Sequence, residues 1–489
     1  MSTAIVVGAG PNGLAAAVTL AKAGVDVTVL EAADEIGGGT RTIEAILPGL
    51  LHDHCSAIHP MAVGSPFLAG LGLERYGLTW RLPEIDCAHP LDGGRAGVLH
   101  RSVEATADGL GSDHWRWRRL FSSTSRRFDA LSDDIMGPLL RVPHHPLTLA
   151  RFGAPTLLPA STVARWFRTT EARALFGGVA AHAFRPLHFP MTSAIGLGIL
   201  TAGHRHGWPV AAGGSRSITD AIASLLADLG GKVETGVRID AACQLPPADV
   251  TIFDLAPEAV AGILGDRLPP RIARAYRNFR RGPGAFKVDF AVEDGVPWSN
   301  AAARRAGTVH LAGTYAELAA TERDVHAGRM PARPFVLVGQ QYLADPLRSV
   351  GNIHPVWALR ARAQRLHGRC HRGHHRSNRA LRPRVPRPCH RPNRQRHHTI
   401  GRTQPQLRRG RHHDRRQGFS PVGVWSANHV VAVPHWCSGY VHLLGCHAAR
   451  PRRTRHVRRQ RRTSCPQRPR HSRASVITSV ATRAAAIRG

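Results

Sequence analysis

AIVVGAGPNGLAAAVTLAKAGVDVTVLE, running from Ala4 to Glu31, is the stretch whose pattern decides the fold. Ala4 to Val7 form a short apolar strand, GAGPNG follows from Gly8 to Gly13, and Leu14 to Ala23 make an Ala/Leu-rich helix. After Gly24, Val25 to Leu30 read as a second strand that ends on Glu31. Strand, glycine turn, helix, strand and terminal acid in this order predict a βαβ dinucleotide-binding unit. Gly8 permits the tight turn, Gly10 lets backbone approach a pyrophosphate, and Gly13 lets helix and strand pack closely. Pro11 and Asn12 complete the loop, and the helix N-terminus behind them faces the phosphates. Glu31 stands where a carboxylate accepts hydrogen bonds from the adenosine ribose hydroxyls.

The next residues, EAADEIGGGTRT from Glu31 to Thr42, resemble the segment that follows the ribose acid in flavoproteins of the amine oxidase and phytoene desaturase superfamily. HDHCSAIHP (His52 to Pro60), the long run from His206 to Ile239, GPGAFKVDFAVEDGVPW (Gly282 to Trp298) and GNIHPVWA (Gly351 to Ala358) extend that resemblance. They are similar, in order, to bacterial phytoene-dehydrogenase-like oxidoreductases, a group that includes pyridine nucleotide-disulphide oxidoreductase-like proteins. The resemblance implies FAD as cofactor, with the backbone of Gly37 and Gly38 beside it and Arg41 near the pyrophosphate. Arg41 stands two places later than the family's arginine, where this chain has Gly39. It also implies that the backbone of Val237 lies beside the adenine, and that hydride passes from an apolar, polyene or lipid substrate to the flavin. Quinone or oxygen would then reoxidise the flavin. A flavin amine oxidase is the related alternative, although no aromatic cage for a substrate nitrogen stands out.

The fold class expected is α/β: an FAD-binding Rossmann-like βαβ domain with an inserted, mainly helical or mixed substrate domain. Residues 1–60 and 206–265 are expected to make the FAD-binding domain, 61–205 a largely helical cap, and 266–358 the second part of the substrate domain. Ile218, Ile222, Leu225, Leu226 and Leu229 recur at helical spacing, and Gly230 and Gly231 end that helix. Val233 to Ile239 and Asp249 to Leu255 read as strands.

In Asp113 to Leu131 an apolar stripe of Trp117, Leu120, Phe121, Phe128 and Leu131 alternates with arginines. Such a helix either packs on the domain or lies on a membrane surface. No uninterrupted apolar run reaches spanning length and no basic leader precedes the first strand, so the expectation is a cytoplasmic protein with membrane-surface association as an option. His54, Cys55 and His59 fit no standard metal spacing and read as a polar loop near the flavin. No metal is expected, and no catalytic acid or base is assigned, because the cofactor carries the hard chemistry.

The net charge of +33 suggests a polyanion partner until it is located. From Gly351 onward there are 32 arginines, no lysine and one acid, Asp414, while the first 350 residues hold 34 bases and 32 acids. Residues 359–489 are therefore an Arg-rich tail on a near-neutral body, expected to be disordered. One function class this permits is nucleic-acid binding through the tail, non-specific and salt-sensitive. The genetic code supports another account. Reading each codon from its second base, Leu359 to Pro386 permits YAHVPSGYTGDATEAIIAQIERFAPGFR, and His435 to Arg462 permits TGVPGMYICSAATPPGPGAHGMCGANAA. The glycine spanning Trp436 and Cys437 is forced, since Trp has one codon. Both strings continue the family resemblance in one frame, so the tail reads as out-of-frame from close to Ala358, with no specific nucleic-acid partner.

Overall fold

The computed structural model describes residues 1–137, 142–362, 430–431 and 475–476. The opening unit is β1 (Thr3–Val7), α1 (Pro11–Lys22) and β2 (Asp26–Leu30). A hairpin of β3 (Ile85–Pro90) and β4 (Ala96–Leu99) comes next. The helices α2 (His114–Arg126), α3 (Phe128–Ile135), α4 (Pro146–Thr156), α5 (Thr170–Ala180) and α6 (Thr192–His206) follow it. The chain then returns through α7 (Arg216–Asp228), β5 (Lys232–Glu234) and β6 (Val250–Phe253). It ends its main body with β7 (Gly284–Glu293), β8 (Ala306–Leu311), β9 (Val336–Gly339) and β10 (Ile353–Arg362).

Two sheets result. The first is parallel, in the order Ser475–Val476, β6, β1, β2, β5. Its central strand β1 buries Ala4, Ile5, Val6 and Val7 on both faces, as a parallel sheet between helices requires. Leu14, Ala17 and Val18 of α1 share one apolar cluster with Ile218, Ile222 and Leu226 of α7. The second sheet is mixed, in the order Val430–Val431, β7, β10, β9, β8, β3, β4, with β8 and β3 parallel.

The structure corrects several expectations. The region 61–205 is largely helical but contributes the β3–β4 hairpin to the second sheet. The Asp113–Leu131 segment is two helices that meet at Arg127, and its apolar stripe is consumed internally. Trp117, Phe121, Phe128 and Leu131 are fully buried in the cap core, and the Trp117 indole N–H donates to His204 Nε2 at 2.9 Å. That stripe is not available to a membrane. The strand expected over 233–239 is only Lys232–Glu234, because the chain turns at Gly236, whose φ is +73°. The disorder expected from residue 359 does not begin there: Leu359 to Arg362 continue β10 in register with Gly284 to Lys287. Backbone ladders pair whatever side chains they carry. Beyond Arg362, the tail expectations lie outside the described residues, apart from the two short strands.

A histidine cluster sits beneath the second sheet. The parallel register Ala88 to Val309 sets His89 of β3 beside His310 of β8, and His182 Nε2 lies 3.2 Å from His310 Nε2. A Cβ on Gly178 of α5 would fall 2.6 Å from His89 Nδ1 and 2.7 Å from His310 Nδ1, so only glycine allows the helix this close. Burial lowers His89 and His182 to about 4, and burial with the neighbouring histidines holds His310 well below the ordinary imidazole value. The neutral imidazoles therefore contribute stability that is present above pH 6.5 and lost as pH falls toward 4. Asp86 and Glu322, raised by burial to about 7 and about 8, act with the opposite sign, losing stability as pH rises. The test is thus a difference: between pH 7 and pH 5 the native chain should lose about 2 kcal/mol relative to His182→Gln, read by urea unfolding. Parallel profiles would show that His182 titrates alike in the folded and unfolded chains.

Candidate functional site

The glycine loop closes on itself at the carboxyl ends of β1 and β2, the place where open α/β sheets bind ligands. Gly8 takes a φ of +107°, and a Cβ on Gly13 would stand 2.0 Å from the Gly8 carbonyl oxygen. Gly10 is the extended residue before α1, Pro11 begins the helix, and Asn12 and Gly13 complete its first turn. Neither the turn nor the contact tolerates a side chain at Gly8 or Gly13.

Glu31, at the end of β2, accepts hydrogen bonds from the Ala9 N–H at 2.8 Å and the Ala33 N–H at 2.9 Å. The next loop folds back on the first. Gly37 donates its N–H to the Ala9 carbonyl at 2.8 Å, and a Cβ on Gly38 would lie 3.2 Å from Gly10 Cα. Arg41 braces this loop: Nε donates to the Ile36 carbonyl and Nη2 to the Glu35 carbonyl, with Glu31 Oε1 3.4 Å away. Its guanidinium is thus engaged by the loop it was expected to leave for a pyrophosphate. Val237 donates its N–H to the Glu31 carbonyl at 2.8 Å, which brings it beside that acid. All ten residues singled out in the sequence, Gly8 to Val237, therefore gather at one crevice.

Sequence reasoning missed three groups. Asp254, just past β6, places Oδ2 2.9 Å from the Gly13 N–H. Burial raises its carboxyl to about 6 against the pull of that N–H, with Glu31 adding to the rise. Second, Lys287 and Asp289 form a fully buried ion pair on one face of β7. His52 and His54 lie against them, both lowered by burial and by the Lys287 charge. His52 Nδ1, His54 Nε2 and Asp289 Oδ2 find no hydrogen-bond partner among the described residues. His54 donates its backbone N–H to the Arg41 carbonyl, so this polar wall adjoins the glycine loops.

The third group is Arg348, buried to 1% exposure. It pairs with Asp53, donates to Asp345 Oδ2 at 3.2 Å and to the Ala211 carbonyl at 2.7 Å. Asp53 also accepts from the Ser215 N–H and the Thr42 hydroxyl, and Asp345 accepts from the Gly213 N–H. Burial works against ionisation of Asp53, yet Arg348 and the Ser215 N–H hold its carboxyl below the usual range. His59 shares a 2.9 Å contact with the Ser215 hydroxyl, and no group of three metal-ligating side chains occurs among the described residues.

This constellation decides the domain, and a family match coincides with it. Residues 6–66 match the family described as an NAD(P)-binding Rossmann-like domain. A hydroxyneurosporene desaturase of Cereibacter sphaeroides is 30% identical over 296 residues, which are 54% of this chain and 58% of the desaturase. The chain thus matches a little over half the length of that curated relative. An oxidoreductase from Methanosarcina mazei shares the Rossmann-like fold at 17% identity, with a TM-score of 0.50 over 78% of this chain and 82% of that one. Cyclohexylamine oxidase from Brevibacterium oxydans aligns at 18% identity and a TM-score of 0.46, over 78% and 80%. Among the described residues no helix is long and apolar enough to cross a membrane.

The buried charges around Arg348 join the Rossmann-like domain to the rest of the chain, so Arg348→Met should cost about 3 to 5 kcal/mol by stranding Asp53 and leaving Asp345 only the partly exposed Arg81, 3.7 Å away. Urea unfolding measures this, and a loss under about 1 kcal/mol would show that the network is dispensable.

Proposed function

We propose that this chain is an FAD-dependent oxidoreductase of the phytoene-desaturase type, acting on an apolar polyene or lipid substrate. The observation that carries the reading is the contact of Gly38 with Gly10, which adds the flavoprotein's paired glycines to the dinucleotide crevice. The desaturase relative supports the same chemistry. FAD fits the residues present: the cradle at Gly8, Gly10 and Gly13 has no room for side chains, and a wall of unpartnered polar atoms adjoins it.

Bound FAD would supply the hydride acceptor. The first turn of α1 would hold the phosphates, Glu31 would accept from the ribose hydroxyls through its remaining lone pairs, and the Val237 backbone would flank the adenine. His52, His54 and the Lys287–Asp289 pair would present donors and acceptors on the flavin side, while the apolar cap keeps water out. Quinone or oxygen would take the electrons onward. The proposed setting is the cytoplasm, with substrate drawn from a membrane surface. In support, Leu147 and Leu157 of the α4 region and Met191, bonded through its backbone to Leu157, are exposed.

The out-of-frame tail belongs to the same proposal. Arg360 is fully buried in β10 opposite Phe286, with its guanidinium 5.5 Å from that ring and Nη1 3.1 Å from Met330 Sδ. A small residue suits this strand position, and the shifted frame permits alanine there. A frame-restored protein should purify yellow with FAD, whereas the chain as it stands should retain little flavin and unfold at lower temperature. Flavin absorbance and thermal unfolding of both proteins decide the matter. Equal occupancy and equal stability would refute the frame reading, and a folded, restored protein that takes up no FAD would refute the cofactor.

A further inference from the structure

We infer that Asp254 is a built-in competitor for the phosphate seat of the dinucleotide crevice, so that its carboxylate and a bound pyrophosphate exclude one another. The inference rests on reading the crevice as a dinucleotide site. Its ground is position. Asp254 Oδ2 accepts from the Gly13 N–H at 2.9 Å, and the same oxygen lies 2.8 Å from where a Cβ on Gly10 would stand. It therefore covers the first turn of α1 at the two glycines through which backbone approaches phosphate. The backbone is held there as well, since the Asp254 N–H donates to the Val7 carbonyl and the Asp254 carbonyl oxygen is 2.7 Å from the Cβ position of Gly8.

Among the described residues, the charges facing Asp254 offer it no cation of its own. β1 contributes only apolar side chains at this end, and the first turn of α1 contains no acid or base. The loop after β2 brings Glu31, whose carboxylate repels it, and Arg41 is engaged by Glu31 and the loop carbonyls. On its own side of the chain, Glu258 is paired with Arg281. A pyrophosphate would add further negative charge to this enclosed corner, where two unit charges interact far more strongly than in water. Phosphate binding and protonation of Asp254 are therefore linked, and raising the pH weakens the ligand. Because burial and Glu31 already bring this carboxyl to about 6, the effect falls between pH 6 and pH 8.

The test uses the full 489-residue chain with adenosine diphosphoribose, whose pyrophosphate diester does not titrate in this window, and adenosine as the phosphate-free control. Affinity for the diphosphoribose, measured by calorimetry, should weaken roughly tenfold to fiftyfold from pH 6 to pH 8, the upper figure being the linkage limit for one proton. Adenosine should bind with a flat profile. Asp254→Asn keeps an acceptor for Gly13 but removes the charge, so it should bind the diphosphoribose at pH 8 as tightly as the native chain does at pH 6. If that variant does not fold, Asp254→Ser serves the same comparison. A role confined to capping α1 would lower thermal stability in the variants and leave the pH slope of affinity untouched. Binding with equal slopes in native and variant chains overturns the inference alone. No binding of diphosphoribose at any pH overturns it together with the dinucleotide reading.

Discussion

One guanidinium holds the two halves of this molecule in register. Arg348 lies between Asp53 from the first segment, the Ala211 carbonyl before α7, and Asp345 from its own loop. Segments nearly 300 residues apart in sequence thus meet in a buried ionic node, where one guanidinium answers two carboxylates. Buried charges tolerate little misplacement, because each lost partner strands an ion in a poorly polarisable interior. The glycine crevice on one side and the Lys287–Asp289 wall on the other keep their spacing because this node does.

The crevice was legible from sequence because its logic is local. Gly8, Gly10, Gly13 and Glu31 fall within 24 residues, and their spacing alone dictates turn, helix and acid. Gly37, Gly38 and Arg41 were legible only through resemblance. Asp254 was hidden at the end of a strand read for its apolar run, and nothing nearby marks it as a neighbour of Gly13, 241 residues earlier. Lys287 and Asp289 alternate with Phe286, Val288 and Phe290, a pattern that ordinarily puts the polar face in water. Here that face is covered by the His52–His54 segment, so the polar residues are an internal wall. The same limit left the stripe of Trp117, Phe121 and Phe128 with two readings, of which packing on the domain is the one found: amphipathicity says that a face is buried, not what buries it.

The end of the main body shows how little a backbone ladder asks of its side chains. β10 pairs with β7 over ten residues, from Ile353 to Arg362, and the pairing passes through the place where the composition changes. Leu359 joins the cap core from the side, and Arg360 is buried between Phe286 and Met330. Main-chain hydrogen bonds carry the strand through this point whatever side chains follow.

The parallel sheet has a consequence for biosynthesis. β1 lies between β2, its neighbour in sequence, and β6, with Ala4 paired to Val250. One edge of this apolar strand therefore has no native partner until the ribosome has added some 250 residues. At ordinary elongation rates of about 5 to 20 residues per second that is roughly 12 to 50 seconds. For that time Ala4 to Val7 present an open strand edge on which another chain can add. The glycine loop that defines the fold is thus made early and secured late, and rapid elongation, dilution or chaperone cover would each limit the time or the chance for another chain to add there.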